Sequence, residues 1–278
     1  MKEKTKVLAI ANQKGGVGKT TTALNLGVGL SRRGKKVLLI DADPQGDLTK
    51  CLGYFNPEEF DNTISTVIRN EVADREYDPM RGIIHQSEGV DLLPANSELA
   101  ILESYLTNCM SRESILSNYV EKVKDAKDYD YIIMDCMPSL GNLTVNALAA
   151  SDEIIIPVQA QYLASRDMSN MIRTVSKVKA KINPKLEIGG ILLTMFDART
   201  NLSKRVEETV REQYGQKIRV FNTKVPTAVK ASEASAFGKS IFTYDPKGAA
   251  TLAYLNLAKE VTGDVEKRRT QDRASISR

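Results

Sequence analysis

Short apolar runs recur along the chain at Val7–Ala11, Lys36–Asp41, Val90–Pro94, Tyr131–Cys136, Glu153–Val158, Ile188–Met195 and Val220–Val225. Runs of this length, bounded by polar or turn-forming positions, read as strands buried on both faces. Between them lie longer stretches with helical spacing of apolar residues: Ala23–Leu30, Glu98–Met110, Glu113–Ala126, Arg166–Ala180, Leu202–Tyr214 and Lys247–Val261. Strand and helix alternate, which predicts an α/β chain: a doubly wound, mostly parallel sheet flanked by helices. No internal repeat or linker interrupts residues 1–262, which read as a single domain. Residues 263–278 are polar, charged and free of aromatics, and are expected to form a basic, disordered tail.

Composition narrows the class. The chain has 278 residues, of which 42% are hydrophobic, enough for one substantial core. No apolar run reaches the roughly 18–20 residues that span a bilayer. Met1-Lys2-Glu3-Lys4 leads straight into the first apolar run, so no secretory leader is expected. Cys51, Cys109 and Cys136 are scattered, odd in number and without metal-ligand spacing. They read as reduced packing residues, as in a cytoplasmic protein. The single His85 has no Cys or His neighbour in sequence and is read as structural. Net charge is +4, yet residues 151–230 alone hold fourteen Lys/Arg against eight Asp/Glu, an excess of six. That excess lies away from the glycine-rich loop described next. It is either an ordinary solvated surface or a footprint for a phosphate backbone.

The candidate chemistry starts at residues 12–22, Asn-Gln-Lys-Gly-Gly-Val-Gly-Lys-Thr-Thr-Thr, between the first strand and the first helix. Strand, glycine loop, Gly-Lys-Thr and helix form the phosphate-cradling arrangement of nucleotide triphosphatases. Gly15, Gly16 and Gly18 let the backbone wrap round phosphate oxygens, with Val17 between them, and the helix N-terminus adds positive potential. Lys19 supplies charge to the β and γ phosphates, and the Thr20 hydroxyl can bind Mg2+. The ordinary pattern wants glycine at position 13, which is Gln13, and a second lysine, Lys14, precedes Gly15. Lys14 is either a solvated surface lysine or a phosphate contact at the mouth of the site. Asp41-Ala42-Asp43-Pro44 ends a strand at the edge where ligands of parallel sheets bind. Tyr131-Ile132-Ile133-Met134-Asp135 closes a second strand on an acid that could hold Mg2+ directly or through water.

These stretches resemble the ParA/Soj family of DNA-partitioning ATPases, within the ParA/MinD group of deviant Walker ATPases. Further matching stretches are Tyr129–Gly141, Leu192–Asn201 and Val229–Ala234, and the resemblance covers roughly residues 5–262. It implies one P-loop ATPase domain with ATP and Mg2+ as cofactors. In it Lys14 is the signature lysine that reaches a partner subunit's phosphates across an ATP-sandwich homodimer. Lys19 serves its own subunit, Thr20 the metal and Thr21 the α-phosphate. Asp43 orients the attacking water, Asp41 supports the metal shell, Asp135 is the Walker B acid, and residues 138–141 form the second switch loop. Pro226 falls where the family's backbone contacts adenine, and Arg199 and Lys230 match positions that bind DNA nonspecifically.

The resemblance further implies weak intrinsic ATP turnover, stimulation by a ParB-like or other centromere-binding adaptor, and a cytoplasmic, nucleoid-associated protein. Two departures stand out. Asp135-Cys136-Met137-Pro138 replaces the usual Asp-Cys-Pro-Pro, and Thr227-Ala228 replaces Arg-Asn after Pro226. The chain starts at its first strand, so the operator-specific repression of longer plasmid relatives, which carry a helix-turn-helix region, is not expected. The alternative is a MinD-like membrane-surface positioning ATPase. Residues 266–273, Glu-Lys-Arg-Arg-Thr-Gln-Asp-Arg, lack the bulky apolar face that such an anchor needs, so no membrane partner is expected. A nitrogenase-like iron protein would need cluster-ligating cysteines that this spacing does not offer.

Overall fold

In the computed structural model, backbone is described for residues 5–160 and 164–276, and side chains for residues 5–160 and 168–263. Eight strands form one sheet: β1 Lys6–Ile10, β2 Val37–Ala42, β3 Ile84–His85, β4 Asp91–Leu93, β5 Tyr131–Cys136, β6 Glu153–Gln159, β7 Glu187–Phe196 and β8 Val220–Pro226. Their spatial order is β3-β4-β2-β5-β1-β6-β7-β8. Every pairing is parallel except β3 with β4. The apolar runs explain this. Val7 and Ala9 of β1 belong to the core on one face, while Leu8 and Ile10 belong to the core on the other. A strand with no polar face must lie inside a sheet covered on both sides.

The covers come from helices of both halves. One face packs against α3 Ile64–Val72, α4 Glu98–Leu106, α5 Ile115–Ala126, α6 Asn142–Ala150 and α7 Ala164–Lys181, through residues such as Ile68, Leu102, Tyr119, Leu143 and Val175. The other packs against α1 Lys19–Ser31, α10 Ile241–Tyr244 and α11 Ala249–Ile276, through Leu24, Phe242, Tyr254 and Leu257. The short α2 Asp47–Cys51 follows β2, α8 Asn201–Tyr214 links β7 to β8, and α9 Val229–Ala236 follows β8. β1 sits between β5 and β6, so the chain fills the sheet on one side of β1 and then on the other. That reversal opens a crevice beyond the C-terminal end of β1, where α1 begins.

The structure departs from the sequence reading at a few elements. The two-residue β3 is too short to leave a pattern in the sequence. α6 has the composition Asn-Leu-Thr-Val-Asn-Ala-Leu-Ala-Ala, too rich in small residues for a clear apolar stripe. α4 stops at Leu106 instead of continuing to Met110, since Thr107 and Asn108 are weak helix formers. α11 continues to Ile276, so residues 263–276, expected to be disordered, are helical. Lengthening an existing helix avoids the cost of nucleation, and Glu266, Lys267, Arg268, Arg269 and Gln271 favour propagation.

Candidate nucleotide-binding site

The loop between β1 and α1 is shaped by its neighbours. Asn12 donates its side-chain amide to the Pro157 carbonyl at 2.7 Å and accepts the Lys14 N–H at 3.1 Å. The Thr194 hydroxyl on β7 donates to the Val17 carbonyl at 2.8 Å, and Val17 is buried. Gly16 and Gly18 have φ of +70° and +82°, where a side chain would be strained. A Cβ on Gly15 or Gly16 would meet no atom within 4 Å. It would stand in the cavity of about 310 Å³ that this loop encloses. The cradle is therefore open to a ligand where a side chain would fill it.

Gly15, Gly16, Gly18, Lys19, Thr20 and Thr21 line that cavity, joined by Asp43, Gln45 and Asp47 after β2, Pro138 after β5 and Met195 near the end of β7. Lys19 Nζ donates to the Lys14 carbonyl at 3.2 Å, which holds the ammonium across the loop. Burial pushes its pKa below the ordinary lysine value, against the pull of Asp135 and Asp43. A desolvated cation with no salt-bridge partner among the described residues is suited to a polyanion.

Two carboxylates lie beneath. Asp41 and Asp135 are paired in register on adjacent strands β2 and β5. Both are buried. Asp41 is engaged at both oxygens. It accepts from the Thr49 N–H at 2.9 Å, the Thr49 hydroxyl at 2.7 Å and the Asp43 N–H at 3.2 Å. Burial nevertheless pushes its pKa up to about 7. Asp135 is less satisfied, since neither of its buried oxygens makes a hydrogen bond. The Thr20 hydroxyl stands near it without a regular hydrogen bond. Burial and the adjacent Asp41 raise the Asp135 pKa well above the usual carboxylate range. A buried unpaired carboxylate beside a second one calls for a cation. Oxygen donors of this kind fit Mg2+, which Thr20 and Asp135 could hold with Asp41 beside them on β2. Asp43, at the cavity wall, accepts the Gln45 N–H at 2.9 Å, and burial raises its pKa as well.

A model of the AAA domain family matches residues 5–188. The chain is 44% identical to sporulation initiation inhibitor protein Soj of Bacillus subtilis over 261 residues, covering 93% of this chain and 99% of that protein. It is 42% identical to chromosome partitioning protein ParA of Caulobacter vibrioides over 258 residues, covering 92% and 93%. The chain belongs to the ParA/Soj family. It is a ParA-type ATPase with the P-loop fold. Among solved structures, cobyrinic acid a,c-diamide synthase from Mycobacterium smegmatis with bound ADP and magnesium superposes with a TM-score of 0.79. That protein is 36% identical, with 92% of this chain and 93% of the other covered.

The ParA/Soj residues expected from sequence fall into separate places. Those of the glycine loop and Asp43 converge on the cavity, with Asp41 and Asp135 behind it. Lys14 does not line the cavity; it is half-buried, and its ammonium makes no hydrogen bond or ion pair among the described residues. Pro226 lies in a neighbouring hollow of about 850 Å³, together with Phe196, Arg199, Thr227 and Asn256. Arg199 is 90% exposed and holds Asp197 at 2.9 Å. Lys230, on α9, pairs with Asp245 at 3.0 Å, apart from both cavities. His85 is also paired, its Nδ1 lying 2.7 Å from Asp91. The roles of Asn12, Thr49 and Thr194 are not legible in the sequence. The available signal was polarity inside an apolar run, since a buried Thr or Asn needs a partner.

Proposed function

We propose that this chain is an ATP-switched DNA-partitioning ATPase. Two copies close face to face over two ATP molecules, and Lys14 of each reaches the partner's phosphates. The observation that carries this reading is the pair of lysines. Lys19 is buried in its own cradle, while Lys14 stands outside that cradle with no acid paired to it among the described residues. A lysine so placed is available to a second subunit. Lys19 and the loop N–H groups hold the phosphates, Thr21 the α-phosphate, and the Pro226 backbone the adenine. When bound, Mg2+ would supply positive charge against the phosphates. Thr20 and Asp135 would hold the ion with Asp41 in support, and Asp43 would orient the attacking water.

Turnover is weak until a ParB-like adaptor stimulates it, and hydrolysis then releases DNA. The ATP dimer presents two copies of the basic 151–230 segment, including Arg199 and Lys230. Contacts to phosphates carry affinity without sequence information, so DNA binding is nonspecific and steeply salt-dependent. Such a protein works in the cytoplasm on the nucleoid. No helix among the described residues is long and apolar enough to cross a membrane.

Gel shifts on unrelated duplexes with ATP, ADP or no nucleotide, at two salt concentrations, test the proposal. ATP alone should give a shift, equal across sequences and weakened by salt. Arg199→Glu and Lys230→Glu should reduce it on every duplex while ATP binding persists. Absence of an ATP-dependent shift at low salt would remove the partitioning reading. It would favour a metabolic role, such as the synthase named for the solved neighbour.

A further inference from the structure

The loop after β5, residues 137–141, carries Pro138 into the cavity wall and ends at the start of α6. That helix has no side-chain cap from its own N-cap residue, Gly141, and no acid in its first turn. Its cap comes from a different helix. Glu103 of α4 accepts the Asn142 N–H through Oε1 at 2.8 Å and the Leu143 N–H through Oε2 at 2.8 Å. The Asn142 side-chain amide returns two bonds, to the Glu103 carbonyl of α4 at 3.2 Å and to the hydroxyl of Thr107, just past its end, at 3.0 Å. The approach is close. A Cβ on Gly141 would stand 1.9 Å from Glu103 Oε1, so any larger residue there would displace this carboxylate. An acid on the exposed N–H groups of a helix satisfies two orphan donors and meets the positive end of the helix dipole.

The segment leading into α4 is tied to the other side of the site. The Ala95 N–H donates to the Thr49 hydroxyl at 3.2 Å, and that hydroxyl donates to Asp41 at 2.7 Å. The 95–106 stretch therefore touches α2, which follows the loop after β2, and the start of α6, which follows the loop after β5.

We propose that Glu103 is a positioning residue for hydrolysis. Through the α6 N-terminus it fixes loop 137–141, so that Pro138 and the backbone beside it hold their place against bound nucleotide. Glu103 itself does not touch the substrate. The inference rests on the reading that this cavity hydrolyses ATP, and is independent of DNA binding.

The chain contains no tryptophan, so Met137→Trp supplies a single fluorophore in the loop. Glu103→Gln and Glu103→Ala are made in this background and in the native one. In the native background kcat should fall about tenfold for Glu103→Gln and further for Glu103→Ala, with KM for Mg-ATP within about twofold. Glu103→Asp should recover part of the loss. In the tryptophan background the emission change on adding Mg-ATP should shrink in both variants. A purely structural cap would lower the melting temperature and leave kcat per folded molecule and the emission change intact; that result overturns the proposal. So does a raised KM at constant kcat. If the native chain shows no ATP turnover at all, the functional reading fails, while the emission change still decides whether Glu103 sets the loop.

Discussion

Asp135 gives the sharpest test of the metal assignment, because its stability effect reverses sign with ligand. In the nucleotide-free chain its carboxylate is 1% exposed, has no hydrogen bond and faces Asp41 across a strand pair. Asp135→Asn keeps the shape and removes the charge. An unsatisfied buried polar group costs about 1–3 kcal/mol and a charged one more; the Asn amide keeps the first cost and sheds the excess, so the substitution should stabilise the free protein by about 1 kcal/mol. At roughly 2–4 °C per kcal/mol for chains approaching this size, the midpoint should rise by about 2–4 °C. Mg-ATP at a hundred times Kd should stabilise the native chain by about 2.7 kcal/mol. The variant lacks the anionic ligand and should gain less than about half of that. Thermal melts in EDTA, in ATP with EDTA and in Mg-ATP would show the order of the two proteins invert. A lower midpoint for Asp135→Asn in EDTA would mean that the carboxylate is already satisfied. Full Mg-ATP stabilisation of the variant would mean that it does not hold the metal.

Lys19→Ala removes the buried ammonium of the cradle, and hydrogen bonds to charged groups are worth about 1.5–3 kcal/mol. Isothermal titration should show Mg-ATP binding weakened by at least about tenfold; unchanged affinity would contradict the P-loop assignment. Asp43→Ala should bind ATP and accumulate as a dimer on a sizing column without hydrolysing it. Mixed with Lys14→Ala, it should recover some turnover, because one site of the mixed dimer keeps its own Asp43 and receives the partner's Lys14. No recovery in the mixture would place Lys14 in its own site. Far from the nucleotide, burial raises the Asp91 pKa, but hydrogen bonds from Lys127, Tyr129 and His85 outweigh this and leave it lowered. Its stabilisation is present above the ordinary carboxylate value and is lost as pH falls through the lowered one. Asp91→Asn should therefore cost about 1–3 kcal/mol at pH 7 in urea melts, with the gap closing below about pH 4. A gap that persists in acid would assign the effect to packing.

What the sequence reveals follows from how local each feature is. The strands that make up most of the sheet are continuous apolar runs, and their burial on both faces follows from that continuity. The glycine loop, Lys19 and Thr20 are contiguous, so their chemistry is visible as a string. Asp41 and Asp135 end two such runs, although only the parallel register brings them side by side. The supports are hidden because they are long-range. Thr194 meets Val17 across 177 positions, and Glu103 meets Asn142 across 39. Neither has a local signature beyond a polar residue in an apolar or helical setting. α6 was missed for a related reason: its N-terminus is capped from α4, so its own sequence lacks the usual starting signal.

Co-sedimentation with ATP, offering the same protein nonspecific duplex DNA or anionic liposomes, tests the central claim most directly. Retention on DNA in ATP but not in ADP, lost at high salt and absent from liposomes, is the predicted result. ATP-dependent retention on liposomes with none on DNA would contradict the account and favour the MinD-like alternative.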